Sequence, residues 1–251
     1  MLVSQLVPAD ILLKDEFDGG TFSNQHLIKW KGEGDFKSYS KGNDALSMIF
    51  NGNPDDTADS SSEQRIYIPV SREIWVSYDL YIPSNYHHRT TSDSSANNKF
   101  FALFNNNYKP GFQVNFSMIP DDKGGSLVDI RYYNSGREQG NRSHKPTTGW
   151  PTLIDITDDL GKWHKIEMIF KVPTSIDSAD GIMILMKNND PLLEITTLQA
   201  FGGDGLNFFD EAYFFGWANS GHKEDTEFLI DNVVIRQSKP SLPKPPTLGV
   251  Q

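Results

Sequence analysis

The 251-residue chain contains no cysteine, which removes disulfide staples and cysteine zinc sites from consideration. It has no apolar run near the roughly 20 residues of a membrane-crossing helix, so no membrane insertion is expected. Residues 1–11 lack the basic start and apolar centre of a secretory signal, and none is expected in the sequence as given. Positive charge is scarce: 23 Lys and Arg face 33 Asp and Glu, a net charge of −10. Such a surface argues against nucleic acid or anionic membrane as a partner. It also disfavours a polyanionic ligand unless cations gather locally. Sustained helical periodicity is missing too; the best short stretch, residues 205–210, is no more than one turn.

What the chain does have is short β-rich runs punctuated by Gly, Pro, Asn, Asp and Ser. Strands are predicted near residues 11–17, 26–30, 45–50, 64–69, 73–82, 99–105, 111–118, 126–133, 163–172, 181–187, 192–197, 211–217 and 227–236. Several alternate cleanly, as half-buried strands do: Val114, Phe116 and Met118 against Gln113, Asn115 and Ser117, and Val128, Ile130 and Tyr132 against Asp129, Arg131 and Tyr133. Many short strands without intervening helices predict an all-β fold, a two-sheet antiparallel β-sandwich. A chain of this length fills one such domain, predicted over residues 1–238. Residues 239–251 hold Pro240, Pro243, Pro245 and Pro246 and read as an extended tail or linker. Polar loops are predicted at 51–62, 87–98 and 134–148, and loops on a rigid sandwich often border a binding site. Gly202-Gly203-Asp204-Gly205 is a tight turn, because no phosphate-loop Lys-Ser/Thr follows it, and Trp217 is expected in the core.

The same alternation gathers polar side chains on strand faces. Arg65 and Tyr67 share one face, Gln113 and Asn115 another, and Arg131 and Tyr133 a third. Trp75, Ser77, Asp79 and Tyr81 are expected to extend this surface. Amides and guanidinium groups bond hydroxyls and carboxylates with fixed geometry, and aromatic rings add flat apolar faces with polar tips.

Three segments carry a resemblance to concanavalin A-like domains. Gly161-Lys162-Trp163-His164-Lys165-Ile166-Glu167 resembles their Gly-x-Trp-His strand opening. Phe228-Leu229-Ile230-Asp231-Asn232-Val233-Val234-Ile235 resembles their closing strand, and Glu16-Phe17-Asp18-Gly19 their opening strand and turn. A narrower similarity is to jelly-roll polysaccharide lyases of the alginate lyase kind. Ser62-Glu63-Gln64-Arg65-Ile66 is similar to their Arg/Ser-Glu-Leu-Arg strand and Gln113-Val114-Asn115 to their Gln-Ile-His strand. Glu63, Arg65 and Gln113 carry over; the family histidine is Asn115 here, and the later Tyr-Phe-Lys-Ala-Gly-x-Tyr strand has no clean match.

The resemblance implies a carbohydrate-active jelly roll that binds an extended polysaccharide on its concave face. It implies no organic cofactor and an extracellular or released protein. The lyase similarity implies an alternative, β-elimination on a uronate-containing glycan. Gln113, Asn115 and Arg131 would then be donors on the carboxylate, and Tyr133 the base or acid. Arg65, Tyr67, Trp75, Asp79, Tyr81 and the loop histidines His87, His88 and His144 are candidate substrate contacts, the histidines also candidate bases. Hydrolysis needs two carboxylates about 5–10 Å apart. Asp79 and Asp129 can share a cleft, but the Glu-x-Asp-x-x-Glu strand of concanavalin-like glucanases is absent. Structural calcium, common in such jelly rolls, would take Glu16, Asp18 and Asp231 as hard oxygen ligands. A structural or adhesion domain of a viral or cell-surface appendage is a third class. The sequence leaves the choice between cutting and holding, and the oligomeric state, open.

Overall fold

A computed structural model describes residues 11–23, 29–31, 34–40, 42–54, 59–89, 97–105, 113–134, 139–143, 149–175, 177–199 and 208–238. Residues 1–10, Gly202-Gly203-Asp204-Gly205 and the Pro-rich segment 239–251 lie outside this set. Among the described residues there is no helix, and so none long and apolar enough to cross a membrane. The strands form two eight-stranded antiparallel sheets packed as a sandwich.

The front sheet contains β2 (Lys29–Lys31), β5 (Ser60–Ser71), β7 (Asn98–Phe104), β8 (Gln113–Pro120), β9 (Ser126–Asn134), β10 (Gln139–Ser143), β11 (Thr152–Ile154) and β15 (Phe209–Ala218). Their order is β10-β9-β8-β7-β15-β5-β2, with β11 pairing β9. The back sheet contains β1 (Ile11–Asp15), β3 (Asp35–Ser40), β4 (Asn43–Phe50), β6 (Glu73–Ile82), β12 (Lys162–Lys171), β13 (Gly181–Lys187), β14 (Asp190–Leu198) and β16 (Thr226–Arg236). Their order is β14-β13-β12-β6-β16-β4-β3, with β1 pairing β16. The predicted strands recur with shifted ends, while β3, β10 and β11 were not predicted. Phe209 and Asp210, read as part of a helical turn, already belong to β15.

Period-two alternation explains the core. Ile74, Val76, Tyr78, Leu80 and Ile82 of β6 and Val114, Phe116 and Met118 of β8 all enter one buried cluster that spans both sheets. Full burial of such a side chain contributes roughly 1.5–3 kcal/mol. Phe116 meets Phe170 across the sandwich at 5.3 Å between ring centroids, and Tyr78 meets Phe214 at 5.2 Å.

Polar anchors fasten the rim. The buried Asp15 carboxylate accepts from Phe17 N (3.0 Å), Ser23 N (2.7 Å) and Trp30 Nε1 (2.9 Å), linking β1 of one sheet to β2 of the other. His164, in the Gly-x-Trp-His opening, is buried and structural. Its Nε2 lies 3.0 Å from the Asp159 carbonyl, which can only accept, so Nδ1 is left to accept from Asn188 Nδ2 at 3.1 Å.

Candidate functional site

The outward face of the front sheet brings the predicted polar residues together. Across the ladder, Arg131 lies opposite Asn115, Asn115 opposite Ala102, Ala102 opposite Tyr213, Tyr213 opposite Arg65, and Arg65 opposite Lys31. One continuous row therefore crosses six strands. From Arg131 to Arg65 it spans roughly 19 Å at ordinary strand spacing. The adjoining row runs Tyr133, Gln113, Phe104, Glu211, Tyr67. On the other side Asp129 faces Ser117, and Ser117 faces Lys99. Asn115, Ser117, Asp129, Tyr213 and Glu211 point away from the core yet are buried, so this face is recessed.

Side-chain contacts fix the groove. Arg131 Nε donates to Asp129 Oδ2 at 2.6 Å. With the Asn97 amide turned to present its oxygen, Arg131 Nη1 and Nη2 donate to it at 2.6 and 2.8 Å. One N–H on each Nη then remains for a ligand. Asp129 is 2% exposed and its Oδ1 has no partner among the described residues, which leaves a desolvated acceptor beside the guanidinium. Ser117 Oγ donates to Asn115 Oδ1 at 2.8 Å, setting the orientation of that amide. Arg65 is bonded to Glu63 and lies 5.6 Å from the Phe104 ring centroid, and Phe104 packs on Tyr213 at 5.7 Å. Burial, then the charge of Arg131, push the Lys99 ammonium below its ordinary range, with Asp129 opposing. Four cations (Lys31, Arg65, Lys99, Arg131) thus stand among three carboxylates (Glu63, Asp129, Glu211) in a protein of net charge −10.

Tyr213, Phe104 and Lys99 were not singled out from the sequence. The alternation of Ala102 and Phe104 with the core residues Phe101 and Leu103 was the available signal for β7. In β15 a bulge hid it. Phe215 and Gly216 both have positive φ, at 54° and 129°, so Phe214 and Phe215 both enter the core. Trp217 is then turned outward at 50% exposure, which corrects its expected place in the core.

Other expectations fall away. Trp75, Asp79 and Tyr81 lie on β6, in the back sheet, and face outward on the opposite side of the sandwich, so they do not extend the groove. His88 is 0% exposed, with Nδ1 2.7 Å from Ser126 Oγ and 3.3 Å from Tyr86 Oη, and is out of reach of a ligand. His87 is exposed but packs on Gly124, where a Cβ would come within 2.2 Å of its ring. That turn starts just past Pro120, the fifth residue along β8 from Asn115, roughly 17 Å of extended chain. Tyr133 is in register beside Gln113, but its side chain, and all of His144, lie outside the described residues.

The expected calcium ligands do not form a fitting donor set. Glu16 pairs with Lys14 at 2.5 Å, and the Asp231 carboxylate is taken by the Tyr39 hydroxyl and, at 2.6 Å, by Asn232 N. No group of three or more His, Cys, Asp or Glu positioned to hold a metal occurs among the described residues.

No protein-family model matches the chain, and no curated protein matches it in sequence. Solved structures do match in fold. An alginate lyase in complex with an alginate tetrasaccharide superposes with a TM-score of 0.56 at 14% identity, covering 81% of this chain and 84% of that one. An alginate lyase from a Chlorella virus gives a TM-score of 0.58 at 10% identity, over 90% and 99% of the two chains. A structure reported with endo-acting O-glycanases of the human gut microbiota gives 0.54 at 10% identity, over 92% and 100%. The chain has a two-sheet antiparallel jelly roll, the fold it shares with these alginate lyases.

Proposed function

We propose that the recessed face of the front sheet binds an extended, carboxylate-bearing polysaccharide. The observation that carries this reading is the single row Arg131–Asn115–Ala102–Tyr213–Arg65–Lys31, which sets Arg131 with Asn115 at one end and Arg65 with Lys31 at the other, across the buried Ala102 and Tyr213. Tyr67, in the adjoining row and 42% exposed, offers a ring face to the C–H side of a pyranose, and the buried Tyr213 and Phe104 rings support the floor beneath. The remaining N–H groups of Arg131 suit a carboxylate, and the buried Asp129 fixes the guanidinium from behind. The likeness in fold to lyases solved with oligosaccharides supports the ligand class.

Calorimetric titration with uronic-acid and neutral tetrasaccharides tests this. Arg131→Ala is expected to weaken the carboxylated ligand by about 10–100-fold, the loss of a charge-assisted hydrogen bond, and the neutral one much less. Equal losses on both would show that Arg131 does not read the carboxylate.

A second reading, β-elimination, is favoured by Lys99, a groove amine whose proton affinity is lowered beside Arg131. In that reaction a neutral base takes the proton next to the carboxylate. Arg131 and Asn115 hold the developing enolate, the glycosidic C–O bond at the next carbon breaks, and the leaving oxygen takes up a proton. Ultraviolet absorbance of unsaturated uronate ends separates the two. A flat trace leaves a binding module, and a rise abolished in Lys99→Ala makes the groove an active site.

A further inference from the structure

The back sheet presents a second outward surface of different chemistry. Trp163 of β12 lies opposite Tyr81 of β6, and Tyr81 opposite Leu229 of β16, so an apolar row crosses three strands. The adjoining row is polar: Lys165 opposite Asp79, and Asp79 opposite Asp231. From the edge strand β3, Tyr39 reaches across this surface. Its ring sits 4.9 Å from Trp163, whose other neighbour Tyr81 is at 5.5 Å, and its hydroxyl donates to Asp231 Oδ2. Trp163 and Tyr39 nevertheless stay 36% and 38% exposed. Single exposed aromatics are ordinary; two exposed rings in contact, one of them also packed on a half-buried third, are not.

The rim is ordered. Asp79 Oδ2 accepts from Asn232 Nδ2 at 2.8 Å, and Asp79 Oδ1 lies 3.4 Å from Lys165 Nζ. Asn232 stands in a bulge, with φ at +51° and the β16–β6 register shifting between Asp231 and Val234, which turns its side chain outward beside the rings. Asp231 is buried, and its bond to Tyr39 holds the ring in place before any ligand arrives. Burial, and the charges of Asp79 and Asp18, raise the Asp231 carboxyl above its ordinary range, against the hydrogen bonds from Tyr39 and Asn232. The surroundings are therefore acidic: Asp18, Asp79, Asp231 and Glu227 outnumber Lys165 and Lys37, and Lys37 is tied to Glu227.

Flat rings beside hydrogen-bond acceptors suit a ligand with a C–H face and hydroxyl donors. The acidic setting opposes uronate or sulfate groups. A membrane or apolar protein surface would not use the Asp79–Asn232–Lys165 rim. We propose that the outer face of the back sheet is a separate binding platform for a neutral pyranose chain. Trp163, Tyr81 and Tyr39 are its stacking surface, and Asp79, Asn232 and Lys165 its hydrogen-bonding edge. The platform does not depend on the reading of the front groove.

Titration of the full chain with cellohexaose, xylohexaose and mannohexaose, read by calorimetry and tryptophan fluorescence, tests the platform. At least one is expected to bind. Trp163→Ala should weaken it about tenfold or more, Trp163→Tyr should retain most of the affinity, and Arg131→Ala in the front groove should leave it unchanged. Tyr39→Ala, on the exposed edge strand, is the second variant should Trp163→Ala fail to fold, and should also weaken binding. Absence of binding for all three hexasaccharides, or wild-type affinity in the ring-deleted variants, overturns the proposal. Failure of the uronate titration alone would count against the front groove only.

Discussion

His222 is buried between the rings of Phe50 and Tyr86, at centroid distances of 5.1 and 6.1 Å, and its Nδ1 has no hydrogen-bond partner among the described residues. Burial, and then the charge of Arg89, push its pKa down from 6.5 to about 4. The unfolded chain therefore takes up a proton here near pH 6.5, and the folded chain does not until about pH 4. Stability from this site is complete above pH 6.5 and is lost as pH falls from 6.5 to 4, below which the loss is constant. The loss is on the order of 2–3 kcal/mol by pH 4.5. Urea unfolding at pH 7 and pH 4.5 measures it. His222→Gln should be less stable than the wild type at pH 7 but show a shallower decline with acid, and an unchanged decline would place the acid sensitivity elsewhere. His88 and His164 belong to the same class of residue. Both are imidazoles absorbed into buried hydrogen bonds, so a histidine count misdirects the search for chemistry in this protein.

At the scale of the element, β15 decides the shape of the groove. Its bulge at Phe215–Gly216 sends two consecutive aromatics into the core and leaves Tyr213 and Trp217 outward. Gly216, at φ 129°, leaves room that a Cβ would take, 3.2–3.4 Å from Lys99, Tyr213 and Glu63. Gly216→Ala is expected to cost about 1–3 kcal/mol in denaturant unfolding and to weaken groove binding as well. Wild-type stability with wild-type affinity would mean that neither the backbone geometry nor the open floor matters. The same element shows what was legible. Alternation in β5, β8 and β9 correctly set Arg65 with Tyr67, Gln113 with Asn115, and Asp129 with Arg131 on outward faces, because in each of those strands the core-facing residues are apolar and most of the intervening ones polar. It did not show that β6 belongs to the other sheet, since a period of two gives a strand's faces and not its neighbours. That is why Trp75, Asp79 and Tyr81 were grouped with the wrong surface. The bulge broke the period in β15 and concealed Trp217. β3 escaped because its Asp35–Ser40 run is an exposed edge with a single half-buried apolar side chain, Phe36.

For the whole molecule, the net charge of −10 is unevenly spread, and the distribution separates two surfaces. The front groove mixes cations into its carboxylates, whereas the platform around Trp163 is dominated by acids. The two lie on opposite outward faces of sheets packed roughly 10 Å apart, with a continuous apolar core between them. No side chain is shared, and close-packed cores of this kind do not deform freely, so neither ligand has a route to change the other's contacts. Coupling between two sites is reciprocal and must appear as a change in affinity. A uronic-acid oligosaccharide and a neutral hexasaccharide are therefore expected to bind together, each within about twofold of its affinity alone. Titrating one ligand into protein saturated with the other measures this in both orders. Mutual exclusion would mean that both ligands use one surface. A coupling well beyond twofold would mean that the sandwich transmits strain between its faces, and either result would require the assignment of two independent surfaces to be abandoned.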